Sequence, residues 1–324
     1  MLENILIDAL VTGLPLIPVF LGVYIVLRIR EDFDLTVEGS FALGGSVAAI
    51  MIAAGIPPAL AMLAGAASGA TAGLVTTLLS LALRLPVLLA GLVMNMALFS
   101  ITLRVLGMPT VSLSGATTVF TAIAPAPGRA ADLATSLVLA LIVVAILTAF
   151  AVFLKTRLGL ALRASGVNAR MVRSQGVSDR GMLALSLIMS NALSAFGGTL
   201  MVQMQGYADV NMGSGIFVAG VGAVLLGVLF VNPSGSQVIR IAVAVLLGGL
   251  LYRLILVAAL RFGLPAGDLR GVTALTLVVA VAAQAYLAPA LDRYGIRLRG
   301  WRRRARPSSS GESHGVIPME ASRG

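Results

Sequence analysis

Long apolar runs, interrupted by short charged or Gly/Pro-rich stretches, follow one another along most of this chain. A helix needs about 20 apolar residues to cross the hydrocarbon core of a bilayer. The runs predict nine such spans, at residues 5–27, 35–54, 59–83, 87–106, 133–154, 182–204, 216–231, 238–260 and 272–288. The second and seventh are short and follow Gly-rich polar residues. The expected fold class is therefore all-α, a polytopic membrane protein of about nine helices, some short or broken.

The segments between the runs give the orientation. Arginines gather at residues 157–180 and 293–306, each beside an apolar span, and an excess of Lys and Arg marks cytoplasmic loops. Four spans separate the two clusters, so both fall on one side. Five spans precede the first cluster, which predicts an N-terminus outside and a C-terminus in the cytoplasm. The first run begins with Glu3 and Asp8 and ends on Arg28 and Arg30, the reverse of a signal peptide. It is expected to be retained as a helix. Residues 107–132 hold Pro109, Pro125 and Pro127 and are expected to form an irregular external segment. The division is a membrane part at 1–292, with a cytoplasmic loop at 155–181, and a basic tail at 293–324 expected to be disordered.

Composition agrees with the pattern. Of the 324 residues 58% are hydrophobic and 11% charged, with a mean hydropathy of +1.00. The net charge of +10 sits beside the spans, so it reads as a topology signal and not as a nucleic-acid surface. Cysteine is absent and the one histidine, His314, lies in the tail, which argues against a metal or haem centre in the membrane. No cofactor is expected. No P-loop of the form Gly-x-x-x-x-Gly-Lys-Ser/Thr occurs, and the only lysine is Lys155. Any use of ATP would need a separate subunit, and no nucleophile, paired carboxylates or metal cluster occupies the spans to suggest an enzyme.

Two segments carry the candidate chemistry. At 156–177, Leu158, Leu162, Met171 and Val172 give an apolar side while Arg163, Arg170 and Arg173 give a charged one, with breaks at Gly166 and Gly176. An amphipathic helix at the membrane surface fits this pattern, either as a plain surface element or as a docking element. At 34–40 the residues Asp34, Thr36, Glu38, Gly39 and Ser40 precede a short Gly/Ala-rich span. Charges near membrane depth are costly unless they face protein or water, so this segment is either a pathway-lining helix break or an interfacial cap. A related string, Asp209 to Ser214, precedes another short span. The pair is either an inverted repeat, of the kind found around transport pathways, or a chance likeness of two Gly-rich turns. Gly65, Gly69 and Gly73 form a small-residue stripe suited to close helix packing. Interhelical hydrogen bonding is the reading favoured for Asn95 and Asn191.

The series Gly159, Leu162, Arg163, Ala164, Gly166, Asn168, Gly176 and Val177 resembles the coupling loop of the ABC permease superfamily that includes branched-chain amino-acid and ribose importers. The segments 34–41, 85–92 and 103–107 extend the resemblance, which is closest to the tryptophan/tyrosine-type ABC permease branch. Glu38, where that branch commonly has Asp, and Asn95, where a small hydroxylated residue is expected, depart from its pattern and leave the ligand open. The resemblance implies a permease of an ATP-driven importer in the bacterial inner membrane. Its implied partners are ABC ATPase subunits, an extracytoplasmic solute-binding protein and a second permease subunit, with a homodimer expected. It implies an ATPase-docking role for Arg163, Gly166, Asn168, Arg170, Arg173 and Gly176, while Asp34, Thr36, Glu38, Gly39 and Ser40 are the expected pathway residues. An amino acid or related metabolite is the implied cargo, with a sugar or nucleoside, or an ion-coupled secondary transporter, as the alternatives.

Overall fold

A computed structural model of the chain describes residues 2–123, 128–231 and 238–287. The tail expected to be disordered, and Pro125 and Pro127 of the expected external segment, lie outside the described residues.

The first apolar run is one span built from four pieces: α1 (Leu2–Gly13), a 3-10 turn (Leu14–Leu16), α2 (Ile17–Tyr24) and a π-helical turn (Ile25–Arg30). Pro15 and Pro18 have no N–H to donate, so the ladder tightens there and then resumes. After Glu31, in the left-handed region at φ 62°, come α3 (Thr36–Ala53), α4 (Pro58–Leu83) and α5 (Val87–Leu106). Prolines open α4 and bound α5, where a missing donor costs nothing.

The segment expected to be irregular carries short elements: β1 (Thr110–Ser112) and α6 (Val119–Ile123). It is followed by α7 (Arg129–Lys155), the surface helices α8 (Arg157–Val167) and α9 (Ala169–Ser174), and α10 (Asp179–Gln205). Then β2 (Tyr207–Asp209) pairs antiparallel with β1, Val111 opposite Ala208. This pairing could not be read locally, because its two strands lie on either side of five helices. The chain closes with α11 (Ile216–Phe230), α12 (Val238–Arg261), a 3-10 turn (Ala266–Asp268), α13 (Leu269–Ala282) and a π-helical turn (Ala283–Leu287).

Among the described residues, eight helical runs are long and apolar enough to cross a membrane. The seventh expected span, α11, has 15 residues. At 1.5 Å per residue it extends about 22 Å, short of the ~30 Å hydrocarbon core. It covers only part of the membrane depth.

At the centre stands α10, and small residues bring its neighbours to backbone distance. A methyl group on Gly198 would approach the Phe41 carbonyl oxygen to 2.1 Å, and one on Gly69 would approach the Asn191 carbonyl oxygen to 2.3 Å. The Gly65, Gly69, Gly73 stripe thus packs against α10 within the chain, as small residues do where helices lack a hydrophobic driving force. Helices α3 and α4 lie on α10, while α11 and α12 pack on each other and on α2 and α1. Each short helix with its successor therefore leans on the long first span of the other half, as expected of an inverted repeat.

Candidate translocation site and coupling surface

The start of α3 fixes the depth of the site. Asp179 opens α10 beside Arg30, whose guanidinium donates to its carboxylate at 2.7 Å. Ser40, in the second turn of α3, donates to Asn191 Oδ1 at 2.7 Å. From Asp179 to Asn191 is about 18 Å along α10, so α3 begins well inside the bundle.

What lies there is a closed polar knot. Asp34 Oδ1 accepts from the Thr36 amide at 2.9 Å, and Asp34 Oδ2 accepts from the Asn191 side-chain amide at 2.7 Å. Thr36 shares a hydrogen bond of 2.9 Å with Thr76 of α4, and Ser194 donates to the Val37 carbonyl at 2.7 Å. Asp34, Thr36, Ser40, Thr76 and Asn191 are all fully buried. Buried polar groups in a satisfied network rigidify what they join. Here they tie the broken start of α3 to α4 and α10.

Glu38 and Gly39 sit differently. Both line a cavity of about 290 Å³, together with Asn95, Met96, Phe99 and Thr102 of α5 and Gly213 and Ser214 of the loop before α11. Glu38 Oε1 accepts from the Gly215 amide at 3.0 Å and the Phe217 amide at 3.3 Å, which caps α11. A carboxylate at a helix N-terminus satisfies free donors and meets the positive end of the dipole. The Asn95 side chain hydrogen-bonds to Glu38 as well. Thr102 is buried, with its hydroxyl unpartnered among the described residues. Because Glu38 holds the start of α11, that helix also begins inside the bundle. The short helices α3 and α11 thus start next to each other inside the bundle.

The related strings at the two starts share one bond. Asp34 accepts from the amide two residues on, and so does Asp209, from the Asn211 amide at 2.8 Å. A Gly and a Ser follow in both, Gly39-Ser40 and Gly213-Ser214. Gly213 is needed for close approach, since a methyl group there would lie 2.1 Å from the Glu38 carbonyl oxygen.

At the far end of α2 the basic loop folds into α8 and α9, each with a side-chain cap. Thr156 accepts from the Gly159 amide at 3.2 Å, and Asn168 accepts from the Met171 amide at 3.0 Å. Gly166 lies against the first span, where a methyl group would come within 1.6 Å of the Ile29 carbonyl oxygen. Arg30 donates to Ser165 Oγ at 3.0 Å and so clasps α8 and α10 together. Asp32 lies 3.5 Å from Arg30. Burial pushes its carboxyl above the usual carboxylate range, and Arg30 offsets part of that rise. Arg163 turns inward and donates to the Leu154 carbonyl at 3.2 Å. Arg170, Arg173 and Gly176 are exposed, Arg173 standing 3.6 Å from Asp179, and Gly176 ends the segment at φ 78°. Val167 and Met171 are exposed beside them, at 88% and 52%.

The expected site residues therefore fall into separate places. Glu38 and Gly39 face a cavity, while Asp34, Thr36 and Ser40 enter the knot. Asn168, Arg170, Arg173 and Gly176 lie on the open side of the loop, while Gly166 and Arg163 face inward. Sequence reasoning did not single out Arg30, Asp179 or Thr102. Arg30 carried a signal, as a charge at the end of a span, but nothing local showed that it reaches residue 179. Among the described residues no group of three or more His, Asp or Glu side chains could hold a metal ion.

A multi-pass helical bundle with two broken helices around a cavity, and a capped amphipathic element clasped to its other end, describes a transport permease. The family profile for the permease component of branched-chain amino acid transport systems matches residues 5–283, and the chain belongs to this family of ABC-type permeases. It is 32% identical, over 81% of its own length and 85% of the relative's, to a protein of Clostridioides difficile (strain R20291) named tyrosine transport system permease protein. It is 33% identical, over 86% of its length and 97% of the relative's, to an uncharacterized protein of Rickettsia prowazekii (strain Madrid E). No solved structure matches the chain.

Proposed function

We propose that this permease carries an amino acid or a related small metabolite inward, driven by a separate ATPase and supplied by an extracytoplasmic binding protein. The observation that carries the reading is the meeting of two helix starts at Glu38, beside a cavity walled by Asn95, Phe99 and Ser214. A family of permeases with one member named for tyrosine transport supports an amino acid as cargo.

In this reading Glu38 and Gly39 line the pathway, and Asp34, Thr36 and Ser40 hold its break in shape. The basic loop faces the cytoplasm and the N-terminus lies outside, in keeping with the arginines around α8 and α9. Val167, Asn168, Arg170 and Met171 present an apolar and basic surface to the ATPase, with Arg173 and Gly176 at its edge. Gly166 and Arg163 seat that surface against Ile29 and Leu154, so a push on α9 reaches the turn that leads into α3. A second copy of the chain completes the permease. Work enters as the ATPase's differential affinity for two packings of the helices.

Uptake into proteoliposomes, with purified ATPase and binding protein, tests the reading. Joint replacement of Arg170 and Met171 by Glu should lower ATP-dependent uptake at least about tenfold and weaken co-purification with the ATPase, a loss of the order seen when charged interface contacts are reversed. The thermal stability of the permease should not change, because both side chains are exposed. Full uptake by this variant would reject the docking surface. Accumulation of solute by the permease alone would favour an ion-coupled transporter instead, and uptake of a sugar or nucleoside would reject the cargo.

A further inference from the structure

The loop 209–215 forms the wall of the cavity at Glu38, and behind that wall lies a second cavity, of about 470 Å³, with a different chemistry. Ser214 lines both, so a single layer of chain separates them. Arg253 of α12 and Arg270 of α13 line the second cavity, with Leu16, Phe41, Ile216 and Leu256 among its apolar lining residues.

Arg253 lies inside the apolar run of α12, about 12 Å before that helix ends at Arg261. Its Nε donates to Thr12 Oγ1 at 2.9 Å, and that hydroxyl donates in turn to the Asp8 carbonyl at 2.6 Å. Among the described residues no carboxylate lies within ion-pair distance of Arg253. Asp8 is paired with Arg261. Asp132 shares with Arg253 a smaller cavity on the other side, of about 260 Å³. Asp209, the acid lining the larger cavity, already accepts from the Thr110 hydroxyl and the Asn211 amide.

A cation within a span is costly unless it faces water, protein or a counter-charge, and such residues mark binding sites or pathways. A guanidinium offers a planar fork of donors that matches a carboxylate or phosphate. We propose that this cavity binds an amphiphilic anion, its carboxylate or phosphate held by Arg253 and Arg270 and its apolar part resting on Leu16, Phe41, Ile216 and Leu256. Asn211 and Ser214 would touch the same occupant. The anion would thereby brace the loop that leads to the Glu38-capped start of α11. The same chemistry is offered by an anionic phospholipid headgroup and by a free carboxylate with an apolar side group.

The test uses the full-length permease in a neutral detergent and reads its melting temperature against three additives: phosphatidylglycerol, 3-phenylpropionate and, as the neutral control, phosphatidylcholine. Phosphatidylglycerol, 3-phenylpropionate or both should raise the melting temperature, and phosphatidylcholine should not. R253Q and R270Q should each weaken the response at least about tenfold in concentration, the size of a lost charge-assisted hydrogen bond. R104Q removes an exposed arginine elsewhere and should respond as the unaltered chain does. A response to phosphatidylglycerol alone assigns the site to lipid, and a response to 3-phenylpropionate alone assigns it to a free carboxylate. Both of these support the proposal. The absence of any response, an equal response to phosphatidylcholine, or an undiminished response in R270Q would overturn it. Arg270 is exposed, so R270Q decides the matter even if R253Q does not fold.

Discussion

Asp34 and Asp209 open the approaches to the two short helices with the same bond to the amide two residues on, yet their surroundings differ. Asp34 is fully buried and gives its second oxygen to Asn191 of α10. Asp209 is only partly buried and gives its second oxygen to the Thr110 hydroxyl at 2.5 Å, across the small two-stranded sheet. One turn is anchored in the scaffold, and the other lies in a loop with a cavity on each side. A repeated motif thus sets local geometry twice, while the neighbours decide which copy is rigid. Opening a site behind such a loop needs one side held and the other free, because packed cores switch between arrangements and do not deform smoothly.

This comparison is broken most directly at Asp34. Asp34→Ala leaves the buried Asn191 amide and the Thr36 amide without their partner, at a cost of about 2–4 kcal/mol. The permease should lose much of its yield, and its melting temperature in detergent should fall sharply. If Asp34→Ala melted like the unaltered protein, the knot would not be a scaffold. Gly69→Val comes next, since its side chain would meet Asn191 and Ala195 of α10 at 2.3 Å. Forced overpacking of this kind costs about 1–3 kcal/mol, and a melting curve of the variant checks it.

Glu38 separates capping from transport. Glu38→Gln keeps an oxygen that can accept from the Gly215 and Phe217 amides, so stability should change by less than about 1 kcal/mol. Uptake should nonetheless fall, because the charge on the cavity wall is gone. Glu38→Ala should lose uptake and about 1 kcal/mol of stability together. Unchanged uptake in both would remove Glu38 from the pathway. The smallest effect is expected at Asp209→Asn, which keeps an acceptor for the Asn211 amide and offers the Thr110 hydroxyl an N–H that it can accept from, at a partly exposed site. It should shift stability by no more than about 0.5 kcal/mol, in line with substitutions away from buried networks. A fall as large as that of Asp34→Ala would erase the difference between the two turns.

Much of this was legible from residues in a row. Apolar run length against bilayer thickness gave the spans, since both quantities belong to a single helix and its solvent. The amphipathic spacing of 156–177 placed α8 and α9, whose caps, Thr156 and Asn168, are local bonds over three residues. The likeness of the two Asp-Gly-Ser strings was visible too, because each turn is set by its own short segment. Asn191 was recognisable as a polar residue in an apolar run that must find a partner.

Depth and partnership were decided only in three dimensions. The run at residues 35–54 reads like an ordinary short span, yet α3 starts deep in the bundle because Arg30 is tied to the beginning of α10 and Ser40 to its middle. That Asp34 is closed off while Glu38, one helical turn later, faces a cavity depends on which side of α3 meets α10 and which meets α5. Gly166 likewise owes its importance to the Ile29 backbone, and Arg253 its isolation to the acids that found other partners. The physical reason is common to all four: in the membrane the cost or value of a polar group is set by the atoms next to it. Those atoms lie far away in the chain, 157 residues for Asn191 from Asp34 and 241 residues for Thr12 from Arg253.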